Sequence, residues 1–141
     1  MSDDKVPAPQ VWPTLRARDA RALIGFLVEA FGFEETAVYG EGSVVEHAQL
    51  TWPGADGAWS GGIMLGSDRD DGGPWRLTPG TCGCYVVCAD PDALYARAVA
   101  AGAVVVQELN DAGYGSREFA VRDPEGNLWS FGTYRGEPRA V

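Results

Sequence analysis

One order of elements occurs twice along this chain, and that repetition constrains its fold more than any other feature. Residues 11–18 read as a strand, with Pro13 near its start, where a missing N–H is tolerated. Asp19 is placed to cap a helix whose apolar positions Leu23, Ile24, Leu27, Val28 and Phe31 fall on one face, and Gly32 ends it. Three short strands follow, over 33–39, 43–52 and 61–67. Residues 68–81 are rich in Gly, Pro and Asp and read as a surface loop. The pattern then restarts. A strand over 82–89 leads to Asp90-Pro91, an N-cap followed by proline at the first helical position, and a helix over 93–101 that Gly102 ends. Strands over 104–108, 119–122 and 127–134 complete the second copy. Asp19, Ala22 and Leu23 match Asp90, Ala93 and Leu94 at an offset of 71. Two copies at that period do not make a solenoid. The reading is an α+β fold of two βαβββ modules, about 11–67 and 82–134, in one domain over 11–141 behind a flexible tail, 1–10.

The 141 residues, 45% hydrophobic and 22% charged, suffice for one buried core. Eleven basic residues against twenty acidic ones leave a net charge of −9. Such a surface repels phosphate backbones, which excludes nucleic acid as a direct partner. It favours a cationic small molecule, or it serves only solubility. No apolar run approaches the ~18–20 residues that span a bilayer, and the polar start carries no signal-peptide pattern. No membrane contact and a cytoplasmic location are therefore expected. Cys82, Cys84 and Cys88 are spaced unlike a zinc ribbon, and their odd number argues against a disulfide framework. All three share one strand face, either as small buried side chains or as thiols lining a cleft.

The stretch from Tyr114 to Phe131, centred on Asp123-Pro124-Glu125-Gly126-Asn127, resembles the closing segment of the vicinal-oxygen-chelate superfamily. That family holds glyoxalase I, the bleomycin-resistance proteins and extradiol dioxygenases. The opening, Pro13 to Ala20 with Ala30-Phe31-Gly32-Phe33, and the stretch His47-Ala48-Gln49-Leu50 are similar to it too. The resemblance spans nearly all of residues 11–134. The turn has its own logic: Asp123 accepts from turn N–H groups, Pro124 pre-sets φ and Gly126 takes a positive φ.

Metal-dependent members of that family place His, Glu or Gln on the first and fourth strands of their modules. The resemblance puts Trp12 and Cys84 in the first-strand slots and Met64 and Ser130 in the fourth-strand slots, within a residue or so. Indole is only a donor, thioether is soft and serine is a poor neutral ligand, so neither a metal nor another cofactor is expected. The reading leans away from an enzyme. His47 shares a strand face with Val45, Gln49 and Thr51, opposite Glu46, Ala48, Leu50 and Trp52. It is either structural or a cleft residue that donates a hydrogen bond, acts as general base or senses pH.

Five tryptophans are many for this length. Trp52 and Trp129 suit a core, Trp59 and Trp75 sit in Gly-rich stretches, and Trp12 sits in a metal slot. The expected ligand contacts are Trp12, His47, Gln49, Trp59, Trp75, Cys84 and Ser130. The metal-free bleomycin-resistance branch consists of acidic dimers. By that resemblance the chain is expected to be a homodimer that sequesters an aromatic or cationic small molecule, such as an antibiotic, without catalysis. The alternative is a lyase, isomerase or dioxygenase with an unrecognised metal or His47 as general base.

Overall fold

A computed structural model describes residues 8–54 and 61–140. Most of the expected tail, and Trp59, lie outside the described residues. The first module runs β1 (Thr14–Ala17), α1 (Ala20–Phe26), a π-helical turn (Leu27–Phe31), β2 (Glu34–Tyr39), β3 (His47–Thr51) and β4 (Gly62–Ser67). The second runs β5 (Gly83–Val87), α2 (Pro91–Ala100), β6 (Val104–Asp111), β7 (Arg117–Arg122) and β8 (Leu128–Gly132). Each module builds one four-stranded sheet, ordered β1-β4-β3-β2 and β5-β8-β7-β6. The first strand of each runs parallel to the fourth, and the other pairs are antiparallel. The twice-repeated βαβββ order is therefore the architecture of the molecule.

The start signals act as read. Asp19 accepts from Ala22 N and Asp90 from Ala93 N, each at 3.1 Å, and Pro91 opens α2. Gly32 ends the first helix at φ 88°, in the left-handed region. Arg97 of α2 donates to the carbonyls of Glu29 and Val28 at 2.7 and 3.1 Å, so a side chain of the second module caps the end of the first helix.

One core serves both modules. Leu15, Ala17, Ala48, Leu50, Ile63 and Leu65 bring the inner face of the first sheet to it, and Leu23, Leu27 and Phe31 bring the helix. Phe119, Val121, Trp129 and Phe131 close it from the second sheet. Phe31 is the hub, with ring centroids 5.4 Å from Trp129 and 4.7 Å from Phe131. The opposite face of the first sheet carries Thr14, Arg16, Met64, Gln49 and His47, and that of the second carries Tyr85 and Ser130.

Several boundaries differ from the sequence reading. β1 starts at Thr14, because Trp12 and Pro13 precede its regular pairing, although Pro13 O still accepts from Met64 N. β3 starts at His47 instead of 43. Val45 therefore escapes the strand's alternation: it lies in the core at 1% exposure, not beside His47 and Gln49.

Candidate functional site

β1 and β5 are each the edge strand of their sheet, and they flank the seam between the modules. Two side chains tie that seam. Glu125 accepts from the backbone N–H groups of Arg18 and Asp19, both at 2.9 Å, and from Arg18 Nη1 at 3.3 Å. Trp52 donates its indole N–H to Val87 O at 3.0 Å. Glu125 is held by the turn around Asp123, which is 4% exposed. Asp123 Oδ1 accepts from the N–H groups of Glu125, Gly126 and Asn127, and Oδ2 accepts from Asn127 Nδ2 and Trp129 Nε1. Every one of these donors lies within 3.0 Å, so the buried carboxylate fixes the turn and the tryptophan together.

A cavity of about 470 Å³ opens in this seam. Phe33, Trp52, Ile63, Val86 and Trp129 give it apolar and aromatic walls, Val11 and Pro13 border it, and Tyr85, Cys84 and Arg135 supply polar side chains. Its aromatic wall is interlocked. Phe33 packs 5.1 Å from Trp52 and 5.5 Å from Trp129, and Trp52 lies 6.0 Å from Phe131. Burial raises the Tyr85 pKa, so its phenol stays a neutral hydrogen-bonding group. Among the described lining residues none is acidic.

Among the described residues expected at the site, only Cys84 lines this cavity. Burial, and next its neighbour Cys82, pushes the Cys84 thiol up to about 12, so it is protonated and a poor nucleophile at neutral pH. Its Sγ lies 3.9 Å from that of Cys82. Trp12 packs against Gly62, where a Cβ would collide with its ring, and donates to Pro9 O at 2.8 Å. His47 stacks on Tyr39 at 6.2 Å and shares the outer face of the first sheet with Gln49. Ser130 lies beside Tyr85 on the outer face of the second sheet. Trp75 is 54% exposed and outside the cavity. Phe33, Ile63, Val86 and Arg135 were not anticipated. Phe33 had left a trace, an aromatic residue directly after a helix-ending glycine.

The pairing also corrects the metal slots. Thr14 aligns with Met64 in one sheet and Tyr85 with Ser130 in the other. The symmetric first-strand positions are thus Thr14 and Tyr85. Trp12 lies before β1, and Cys84 pairs with Trp129 on the other face of the strand. Thr14, Met64, Tyr85 and Ser130 offer no imidazole and no carboxylate. Among the described residues, no three His, Cys, Asp or Glu side chains are grouped to hold an ion. The donor set does not fit a divalent metal.

Comparison with known proteins agrees with this geometry. A family model described as Glyoxalase/Bleomycin resistance protein/Dioxygenase superfamily matches residues 10–131. An uncharacterised protein of Mycobacterium bovis is 35% identical over 132 residues, covering 88% of this chain and 82% of that protein. A counterpart in Mycobacterium tuberculosis H37Rv has the same identity and covers 74% of its own length. Among solved structures, TioX from Micromonospora superposes with a TM-score of 0.70 at 28% identity, over 89% of this chain and 98% of TioX. A glyoxalase/bleomycin resistance protein from Streptomyces shares the fold, with a TM-score of 0.61 at 24% identity over 84% and 94% of the two chains.

Proposed function

Because the chain belongs to the glyoxalase/bleomycin resistance protein/dioxygenase superfamily, we propose that it binds an aromatic small molecule in the seam cavity and sequesters it without chemistry. The observation that carries this reading is the cavity wall. About 470 Å³ bounded by Phe33, Trp52 and Trp129 accommodates a planar ring system. Binding there is driven by apolar burial and ring contact. Among the described lining residues none is acidic, which favours an uncharged aromatic over a cationic one. A sequestered antibiotic falls within that class. A catalytic reading based on His47 has less support, because His47 sits on the outer face of the first sheet and not in the cavity. Thr14, Met64, Tyr85 and Ser130 do not make a donor set for a metal-dependent step.

Tryptophan fluorescence tests this reading with 2-naphthol as a neutral probe and acridine orange as a cationic one. Saturable quenching by 2-naphthol is expected. Trp52→Ala should weaken it by about 1–3 kcal/mol, the usual cost of losing an anchoring aromatic. An affinity unchanged in Trp52→Ala, with the variant folded, overturns the site. Preference for acridine orange restores the cationic alternative.

The outer sheet faces also support a homodimer. Tyr85, Val104 and Val106 are 44%, 62% and 51% exposed, apolar area that a second copy would cover. Sedimentation should give twice the 15.0 kDa of one chain at micromolar concentration, and a monomer there refutes it.

A further inference from the structure

One border of the aromatic cavity comes from the segment ahead of β1. Val11 and Pro13 line the cavity, although regular pairing of β1 begins only at Thr14. The segment already follows β4: Pro13 O accepts from Met64 N at 2.9 Å, and the register that pairs Thr14 with Met64 brings Trp12 beside Gly62. Side chains alternate along such a stretch, so Trp12, between two cavity-lining residues, turns to the outer face of the first sheet. From Thr14 onward the chain borders a different, smaller cavity of about 360 Å³, with Leu15, Thr78 and Cys82. Residues 9–13 therefore belong to the larger cavity alone.

The indole is a close fit in its place. Gly62 leaves the sheet without a side chain there, and the ring takes the space: a Cβ on Gly62 would collide with Cζ3 and lie 3.0 Å from Cη2. The indole N–H donates to Pro9 O at 2.8 Å, which ties the chain ahead of Trp12 to the same ring. One side chain thus anchors residues 9–13 to β4. Val11 stands in contrast, at 84% exposure. An apolar side chain left in solvent at the border of an aromatic cavity is stabilised once a ligand fills the space beside it.

We propose that residues 9–13 form a strap that completes the ligand site, with Trp12 as its positioning residue: the indole seated on Gly62 holds Val11 at the cavity, and a bound aromatic ring buries Val11. The inference deepens the aromatic-binding reading and rests on it. Trp12 touches no ligand in this arrangement. It sets how long a ligand stays, because a strap at the border of the cavity must lift or slide before the ring departs. Loosening the strap therefore acts on the dissociation rate, where most differences in affinity between related complexes reside.

Stopped-flow tryptophan fluorescence with 2-naphthol, together with hydrogen exchange at the Met64 amide, tests it. In Trp12→Ala, 2-naphthol should dissociate about tenfold faster, the scale of losing one apolar contact. The Met64 amide, whose acceptor is Pro13 O, should lose protection while the amides of β8 keep theirs. Trp12→Phe keeps a ring for Gly62 without the N–H and should fall between. Thr14→Val, on the smaller cavity, should leave dissociation unchanged. Should Trp12→Ala fail to fold, Val11→Ala is the second variant, since so exposed a side chain contributes little to the fold, and a several-fold faster dissociation is expected. Dissociation indifferent to Trp12→Ala or to Val11→Ala, or Met64 exchange indifferent to Trp12→Ala, overturns the strap. An equal effect of Thr14→Val does so too, because it shows a general loosening of β1. A wild type that binds no 2-naphthol refutes the aromatic-binding reading and the strap with it, whereas binding that ignores Trp12→Ala refutes the strap alone.

Discussion

The two modules share their helix caps and strand order but differ in the hairpin that joins their third and fourth strands. In the second, residues 123–127 make a tight turn around the buried Asp123 carboxylate. The turn aims Glu125 at the backbone of Arg18 and Asp19 and closes the seam there. In the first, β3 and β4 are joined through the longer stretch 52–61, and its described ends Trp52, Gly54 and Gly61 line the larger cavity. One copy of the hairpin is a fastening and the other a wall of the larger cavity. The repeated order supplies the scaffold, and the difference between the copies leaves room for that cavity.

The largest effect is expected from removing the fastening at its root. Asp123→Ala deprives five donors of one buried acceptor and should cost about 3 kcal/mol or more in urea unfolding. A loss under about 1 kcal/mol would mean that water replaces the carboxylate and that the turn is not what closes the seam. Glu125→Ala acts one step later. It leaves the turn intact and frees the N–H groups of Arg18 and Asp19, for an expected loss of about 2 kcal/mol. If the modules are held mainly by the shared core, the same variant will unfold like the wild type.

The smallest effect concerns a second difference between the copies. Arg21 of α1 donates to the carbonyls of Gly42 and Val44, whereas its counterpart Asp92 of α2 forms a two-bonded ion pair with Arg117. The Arg117 guanidinium holds the Asp92 carboxyl below the usual carboxylate range. A depressed folded pKa means stability that is present above the ordinary aspartate value and lost as pH falls through the folded one. Asp92→Asn should therefore lower the melting temperature slightly at pH 7, and the two proteins should converge near pH 3. A gap that persists in acid would assign the effect to lost packing instead of charge.

Much of this fold was legible because its signals are local. A capping aspartate, a helix-ending glycine and a DPxGN turn each act within a few residues, and Asp19, Asp90, Gly32 and Asp123 perform as their sequence contexts imply. The site was legible only in part, because a strand that slips by one residue exchanges its faces. That slip placed Cys84 where Tyr85 belongs, and the irregular chain before His47 sent Val45 to the core. The cavity itself arises where segments from distant parts of the chain, Val11 and Pro13, Trp52 and Ile63, and β5, come together, which no local pattern encodes. Arg16 shows the same limit: nothing local announces that a charged residue between Leu15 and Ala17 is buried to 6% exposure.

The grip of Arg97 on the carbonyls of Val28 and Glu29 bears on how the molecule comes apart. Tandem repeats usually unravel piecemeal, each unit keeping some stability of its own. Here the end of the first helix is capped by a side chain from the second copy, and Phe31 is seated among Trp129 and Phe131. Neither copy can withdraw without exposing aromatic surface and stranding polar groups on both. Amide protons in α1 and β8 should accordingly exchange with solvent at one common rate, through a single opening of the whole chain. What began as two interchangeable halves has become one cooperative unit, in which neither half remains a protein by itself.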